Sequence, residues 1–379
     1  MEQPTGTGYR DAGVDYDALD AAKRLAIAKA LTTSPLLSAR GGRALDDSRG
    51  EPAFVFELDG RSFAFVVEGL GTKSVVARRV LEQQGVDRFA DVAYDTVAAI
   101  VNDLCCVGAL PLVVNAYFAT GTSDWYAQGE RAAALLEGWR RGCADAGCTW
   151  GGGESPSLAG LVHADDIELA GAAVGVVPRD SAPIFGARLA PGDEIVLVRS
   201  SGLHANGASL ARLLAGRLPD GYATRLPSGA TFGEALLEPS LVYVALVAGT
   251  LERGPQLSYI SHITGHGLLK LMRPARALRY RIERLPPVPE VLSFMVAEAG
   301  LDARAAYSTF NMGAGYALYC RAGGGEALVA IASELGLQAE VAGTVEEGPR
   351  EVVLEPVGVR FSDRELDLSL HNSDSQRQL

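Results

Sequence analysis

The chain has 379 residues, of which 48% are hydrophobic and 44 are glycines, and its formal net charge is −12. That length allows two domains with sizeable cores, and the apolar content excludes a disordered chain. The negative balance, without any run of Lys or Arg, excludes a nucleic-acid surface. An anionic ligand would need locally placed cations, backbone N–H groups or metal ions. The five cysteines (Cys105, Cys106, Cys143, Cys148 and Cys320) form no Cys-x-x-Cys pair, which predicts reduced, buried thiols rather than disulfides or a zinc site. The N-terminus lacks the basic start and apolar centre of a signal peptide, and no apolar run reaches the length of a membrane span. A soluble, cytoplasmic protein with no membrane partner is therefore expected.

In chain order, residues 15–31 carry helical periodicity and "SARGGRALDDSRGEP" reads as a loop. Strands near 53–58 and 62–67 meet at "LDGRS" as a hairpin. A helix should follow "GLGTK", and a second should cover about 91–108. "LPLVVNAYFA" reads as a strand, "AQGERAAALLEGWRRGCADAG" as an amphipathic helix, "GCTWGGGESPS" as a glycine-rich loop and "IELAGAAVGVVP" as a buried strand. Pro178, Pro183, Pro191 and Gly192 mark a shift in composition. They predict domains at 1–180 and 181–360, with a polar tail at 361–379. The second half reads as a strand ("EIVLVRS"), the loop "SSGLHANG", a helix ("ASLARLLAGRL") and a helix near 239–252. "YISHITGHGLLKLM" then runs from strand through turn to helix, before "FNMGAGYALYC", a helix near 324–336 and a last strand, "EVVLEP".

Four apolar strands thus feed glycine-rich turns that carry polar residues: GLGTK, GGGES, SSGLHANG and TGHG. Turns of this kind bring backbone N–H groups close to an anion and open helices whose N-termini favour one, so the four suggest one crevice for a polyanion. Glu68, before the first turn, cannot bind phosphate but suits a hard cation that does. On the helix over 91–108, Asp95 and Asn102 fall about 20° apart and Asp103 about 80° away, on a segment otherwise apolar all round. Buried carboxylates need partners or a metal, so either core hydrogen bonds or a ligand role accounts for them. Glu154 reads either as a ligand group at the exit of three glycines or as a solvated loop carboxylate. His204 and Asn206 open a helix, where the histidine is either a cap or an acid–base group. His262, Thr264 and His266 flank another helix start. No His-Glu-x-x-His, Gly-x-Ser-x-Gly or Rossmann glycine pattern occurs, which argues against zinc hydrolysis, a nucleophile elbow or dinucleotide binding.

Taken together, GLGTK, "VNDLCCVGALPL", "AYFATG", GGGES, "SSGLHANGASLAR", "ITGHG" and "TFNMGAGYAL" resemble, in order and spacing, the aminoimidazole ribonucleotide synthetase (phosphoribosylformylglycinamidine cyclo-ligase) family, as does the opening "YRDAGVDYDA". The resemblance implies a two-domain α/β (α+β) fold with mixed sheets packed against helices, and a homodimer formed through the N-terminal domains. It implies ATP and Mg²⁺ as cofactors and formylglycinamidine ribonucleotide as substrate, its amide oxygen phosphorylated before the amidine nitrogen closes an imidazole ring. By motif match, Lys73 serves the phosphates, Glu68 and Asp103 hold the metal, and His204 and His262 stand near the reacting amide. Gly69, Gly71, Thr72, Asp95, Asn102, Gly152, Gly153, Glu154, Gly202, Asn206, Thr264 and Gly265 complete the nucleotide cleft. Lys73→Ala is then expected to abolish ATP turnover while leaving the fold intact. The chain departs from the family pattern at Glu68 (usually Asp), at Leu110, Ala116 and Ser157 (usually acidic) and at His266 (usually Gly). Selenophosphate synthesis, thiamine monophosphate phosphorylation and a non-catalytic nucleotide-binding paralogue are the other readings; the first is disfavoured because no cysteine precedes Cys105.

Overall fold

The computed structural model describes residues 16–366. The opening motif at 9–18 lies mostly outside them, as does most of the expected tail. After α1 (Tyr16–Leu31), six strands form the first sheet: β1 (Gly42–Leu45), β2 (Phe54–Leu58), β3 (Arg61–Gly69), β4 (Leu110–Thr120), β5 (Thr149–Glu154) and β6 (Ile167–Val176). Their order is β1-β2-β3-β6-β4-β5, antiparallel except for the parallel β4–β5 pair. The β2–β3 hairpin turns on Asp59 and Gly60, both at positive φ, as a two-residue turn requires. α2 (Lys73–Gln84), α3 (Phe89–Cys105), α4 (Asp124–Ala127) and α5 (Gly129–Asp145) complete this half. α3 lies on β3, β4 and β6 with α5 beside it.

The second sheet holds seven strands: β7 (Glu194–Arg199), β8 (Leu257–His262), β9 (Leu278–Ile282), β10 (Ala314–Cys320), β11 (Ala339–Glu347), β12 (Glu351–Leu354) and β13 (Val359–Ser362). Their order is β13-β12-β9-β11-β7-β10-β8, and only β12–β9 is parallel. α6 (Ala208–Ala215), α7 (Phe232–Leu236), α8 (Val244–Arg253), α9 (Glu290–Ala299), α10 (Ala303–Thr309) and α11 (Gly325–Glu334) belong to it. β8 and β10 are buried along their whole length, and β10 reads in sequence as a continuous apolar run.

Several expectations need correction. The glycine-rich loop after α5 contains β5, an edge strand whose exposed glycines hid it, and the loop before the first hairpin contains β1. The helix expected from residue 239 starts at Val244, because the preceding residues bond to α3. The helix after TGHG is a 3₁₀ segment, Gly267–Met272. β9, β11, β13, α9 and α10 were not anticipated, and the tail expected from residue 361 begins inside β13.

α3 connects the two halves. Val92, Val97, Ile100, Val101 and Leu104 are fully buried in the core, while the same helix meets α8 and β8 of the second half. That contact carries Asp95, Asn102 and Asp103 to the seam between the sheets.

Candidate active site

Two helices begin at the seam, one from each half. β3 ends at Glu68-Gly69, and the chain turns through Gly71 (φ 68) before α2 starts at Lys73. Across the seam, Gly207 at φ 105 precedes α6; a Cβ there would lie 2.7 Å from Leu203 and 2.8 Å from Phe310. Glycine is therefore required where the loop turns into the helix. The two starts are joined by a 3.1 Å hydrogen bond between Thr72 Oγ1 and Ser209 Oγ. They open together on a cavity of about 260 Å³ lined by Gly69, Gly71 and Thr72 on one side and Asn206, Gly207 and Ser209 on the other. Two sets of first-turn N–H groups converging on one space make a site for a polyanion.

The floor of the cavity is acidic. Glu68 and Asp103 line it with His262 and Thr264. Asp103 Oδ1 is 2.6 Å from His262 Nδ1. Burial opposes the Asp103 charge, but His262, Lys270 and Arg273 outweigh it and hold this carboxyl below its ordinary range. Glu68 responds in the opposite sense. Burial and the neighbouring Asp103 push it up to about 7, against the Gly69 N–H that its Oε2 accepts at 3.2 Å. Two facing carboxylates with one proton-hungry member are what a divalent cation relieves. Among the described residues no group of three or more His, Cys, Asp or Glu forms a metal cage, so further ligands would have to come from a bound phosphate or water.

Lys270 supplies the local cation. Its Nζ donates to Thr264 Oγ1 at 2.9 Å, and burial beside Arg273 pulls its pKa down to about 8, against Asp103 and Glu68. Sequence reasoning missed this residue, although a lone lysine in the apolar run "GLLKLM" was a signal. Glu168 was missed as well: its carboxylate lies 3.4 Å from where a Gly69 side chain would begin, and burial raises its pKa. Asn311 was the third omission. Its Nδ2 donates to the Gly202 and Leu203 carbonyls at 2.9 and 3.3 Å, and its Oδ1 accepts from Ser200 Oγ and the Gly313 N–H. It thereby fixes the loop that carries Asn206.

The structure places Lys73, Asp95 and Asn102 elsewhere. Lys73 is fully buried behind the turn, with Nζ 2.5 Å from Asp95 Oδ2 and 2.8 Å from the His204 carbonyl. Asp95 Oδ1 also accepts the Ser240 N–H at 2.6 Å. Asn102 accepts the Tyr243 N–H and donates to the Leu241 carbonyl, at 2.8 and 2.9 Å. These three tie the halves together and do not line the cavity. His204 is buried at φ 59, with Nε2 accepting the Ser201 N–H at 3.1 Å. Burial, with His262 and Lys73 adding to it, holds the imidazole far below its ordinary pKa, hence neutral. Gly202 is buried beneath that loop, and Gly265 follows Thr264 without lining the cavity. Gly152, Gly153 and Glu154 are exposed on the edge strand β5, away from the cavity.

Comparison with known proteins agrees with this arrangement. Residues 50–177 match the family described as AIR synthase related protein, N-terminal domain, and residues 190–355 match its C-terminal domain. A phosphoribosylformylglycinamidine cyclo-ligase of Anaeromyxobacter sp. (strain Fw109-5) is 36% identical over 92% of this chain and 98% of its own length. The chain belongs to the phosphoribosylformylglycinamidine cyclo-ligase family. Another cyclo-ligase relative, from Carboxydothermus hydrogenoformans, is 32% identical over 93% of this chain and 99% of its own. Solved structures share the fold at lower identity. The hydrogenase maturation protein HypE, in its complex with HypF, covers 83% of this chain and 93% of the matched chain, with TM-score 0.58 and 17% identity. T. maritima PurL complexed with FGAR covers 82% and 46%, with TM-score 0.56 and 19% identity. At the three positions where the sequence resemblance leads one to expect acidic residues, Leu110 is half-buried, Ala116 is buried and Ser157 is exposed.

Proposed function

We propose that the protein catalyses ATP-dependent closure of formylglycinamidine ribonucleotide to aminoimidazole ribonucleotide, releasing ADP and phosphate. The observation that carries this reading is the convergence of two helix N-termini, one from each half, over the Glu68–Asp103 pair. The cyclo-ligase names of the relatives supply the substrate, and a HypE structure in complex with ATP is consistent with a nucleotide in this fold. The α2 and α6 turns hold the phosphates through backbone N–H groups, and Lys270 offsets their charge from the side. Glu68 and Asp103 suit Mg²⁺, which when bound would screen the phosphate oxygens of the nucleotide. His262, kept in place by Asp103, points the site toward the amide whose oxygen takes the γ-phosphoryl group. Neutral His204 and Asn206 belong to the loop that borders the same space. Once the amide oxygen carries phosphate, attack by the amidine nitrogen on the amide carbon closes the ring and expels phosphate.

The outer face of the first sheet supports a homodimer. Phe65 (41% exposed), Val67 (64%) and Tyr117 (37%) place large apolar side chains in the open on β3 and β4, the kind of surface a second copy would cover. Glu154 and its glycines lie at the β5 edge of that sheet, where a partner copy would bring them toward a nucleotide. A cytoplasmic location fits a small-molecule ligase, and no helix of the described residues is long and apolar enough to cross a membrane.

The test is an assay with Mg-ATP and formylglycinamidine ribonucleotide that follows ADP and aminoimidazole ribonucleotide together. Equal, mutually dependent formation of both supports the reading. The replacements at Leu110, Ala116 and Ser157 favour one competitor, the same phosphoryl transfer to a different acceptor. ATP binding without either product would select it.

A further inference from the structure

Beyond the ligase site, the end of α5 brings two cysteines together. The helix closes on Gly147 at φ 64, with the Gly147 N–H bonded to the Ala144 carbonyl and the Cys148 N–H to the Cys143 carbonyl, both at 3.0 Å. This nested pair of bonds is the Schellman cap, which sets the side chain of the third residue from the helix end against that of the second residue beyond the cap. Here those two positions are Cys143 and Cys148. A 3.0 Å bond from one backbone to the other keeps their α-carbons within about 7 Å given standard bond lengths, the limit beyond which a disulfide cannot bridge.

The environments of the two thiols differ. Cys143 is buried in the core, and Cys148 is half-buried at the start of β5. The closeness of the two thiols holds that of Cys148 below its ordinary pKa and raises that of Cys143, which burial raises further. The more accessible sulfur is therefore the one that favours the thiolate, the division of labour seen in peroxide-sensitive pairs.

We infer that Cys143 and Cys148 form a reversible redox pair, oxidised by a hydroperoxide to an intrachain disulfide across the α5 cap. The Cys148 thiolate attacks the hydroperoxide oxygen, giving a Cys148 sulfenic acid and releasing alcohol or, from hydrogen peroxide, water. The Cys143 sulfur then attacks the Cys148 sulfur, and the sulfenic hydroxyl leaves as water with the Cys143 proton. Two electrons pass from the two thiols to the peroxide bond, and a dithiol reductant returns them. Oxidation would tie the first residue before β5 to α5 and thus restrain the strand that carries Gly151-Gly152-Gly153-Glu154.

Trypsin releases both cysteines, and no others, in the peptide 142–179. The full-length protein is treated with hydrogen peroxide, alkylated and digested. The expected result is a peptide lighter by two hydrogens, with both alkylation sites lost in parallel and both restored by dithiothreitol. In Cys143→Ala, Cys148 should instead be trapped by dimedone as the sulfenic acid. In Cys148→Ser, Cys143 should keep its full label. The inference is overturned if both wild-type thiols stay alkylatable while peroxide oxidises methionines elsewhere. It is equally overturned if Cys148 pairs with Cys105, its buried neighbour at the end of α3, or becomes a sulfinic acid with Cys143 still free. The wild-type peptide decides the matter even if a variant fails to fold.

Discussion

Asp95 and Asp103 stand on the same helix, about two turns apart, and are put to opposite uses. Asp95 is sealed between Lys73 and the Ser240 N–H. Asp103 faces the cavity with His262 on one side and Glu68 on the other. The first region is buried, pairs its charges with each other and ties the two halves together. The second crowds like charges and leaves Glu68 pushed up to about 7. A lock minimises its own electrostatic energy, whereas a binding site keeps groups whose energy falls only when ligand arrives. The glycines of the GLGTK turn serve the second region, and the lysine that ends the motif serves the first.

The largest expected effect breaks the lock. Lys73→Met leaves Asp95 charged and unpaired in the seam, which should cost about 3 to 5 kcal/mol in urea unfolding. Lys73→Met combined with Asp95→Leu should recover most of that loss. The structure thus revises the expectation that removing Lys73 spares the fold. A Lys73→Met protein with wild-type stability and no ATP turnover would return this residue to the phosphates.

Next comes Asn311→Ala, which strands the carbonyls of Gly202 and Leu203 and the Gly313 N–H beneath the His204 loop. The expected destabilisation is about 1 to 3 kcal/mol, with KM for the nucleotide rising more than kcat falls. Unchanged steady-state constants would separate the loop from the site.

The smallest effect is a pH dependence. Protonated Glu68 cannot ligate a cation, so below its value of about 7 Mg²⁺ affinity should rise about tenfold per pH unit, then level off. Titration calorimetry in buffers of different ionisation heats should show a proton released near pH 6, and Glu68→Gln should remove it. Because the folded value of Glu68 lies above its unfolded one, its contribution to metal-free stability is present at low pH and is lost as pH rises through 7. Lys270, pulled down to about 8, sets the other limb: nucleotide affinity should fall as pH climbs past 8.

The sequence makes some of this visible and hides the rest for physical reasons. β10 and α3 are legible because burial on all sides leaves them mostly apolar. β9 is not, since "LRYRI" alternates toward solvent, where Arg279 and Arg281 pair with Glu346, Glu351 and Glu355. The cavity itself is readable in outline: Glu68, Gly71, Thr72, Asp103, Asn206, His262 and Thr264 were all named from their motifs. Lys73 misleads because its partners, Asp95 and His204, are distant in sequence, and only the docking of α2 against the second domain turns its side chain inward. Lys270 was overlooked for the mirror-image reason, a charge set in an apolar run that folds as a short 3₁₀ turn at the cavity's edge.

The division between lock and site is tested most directly by Asp103→Asn, which keeps shape and a hydrogen bond to His262 while removing the charge. Substrate-dependent ADP formation and urea unfolding are measured on the same preparation. The account predicts activity lower by about 10² to 10³, with stability within about 1 kcal/mol of the unmodified chain. Near-normal ADP formation would contradict it, because the cavity floor would then hold no charge that the chemistry needs.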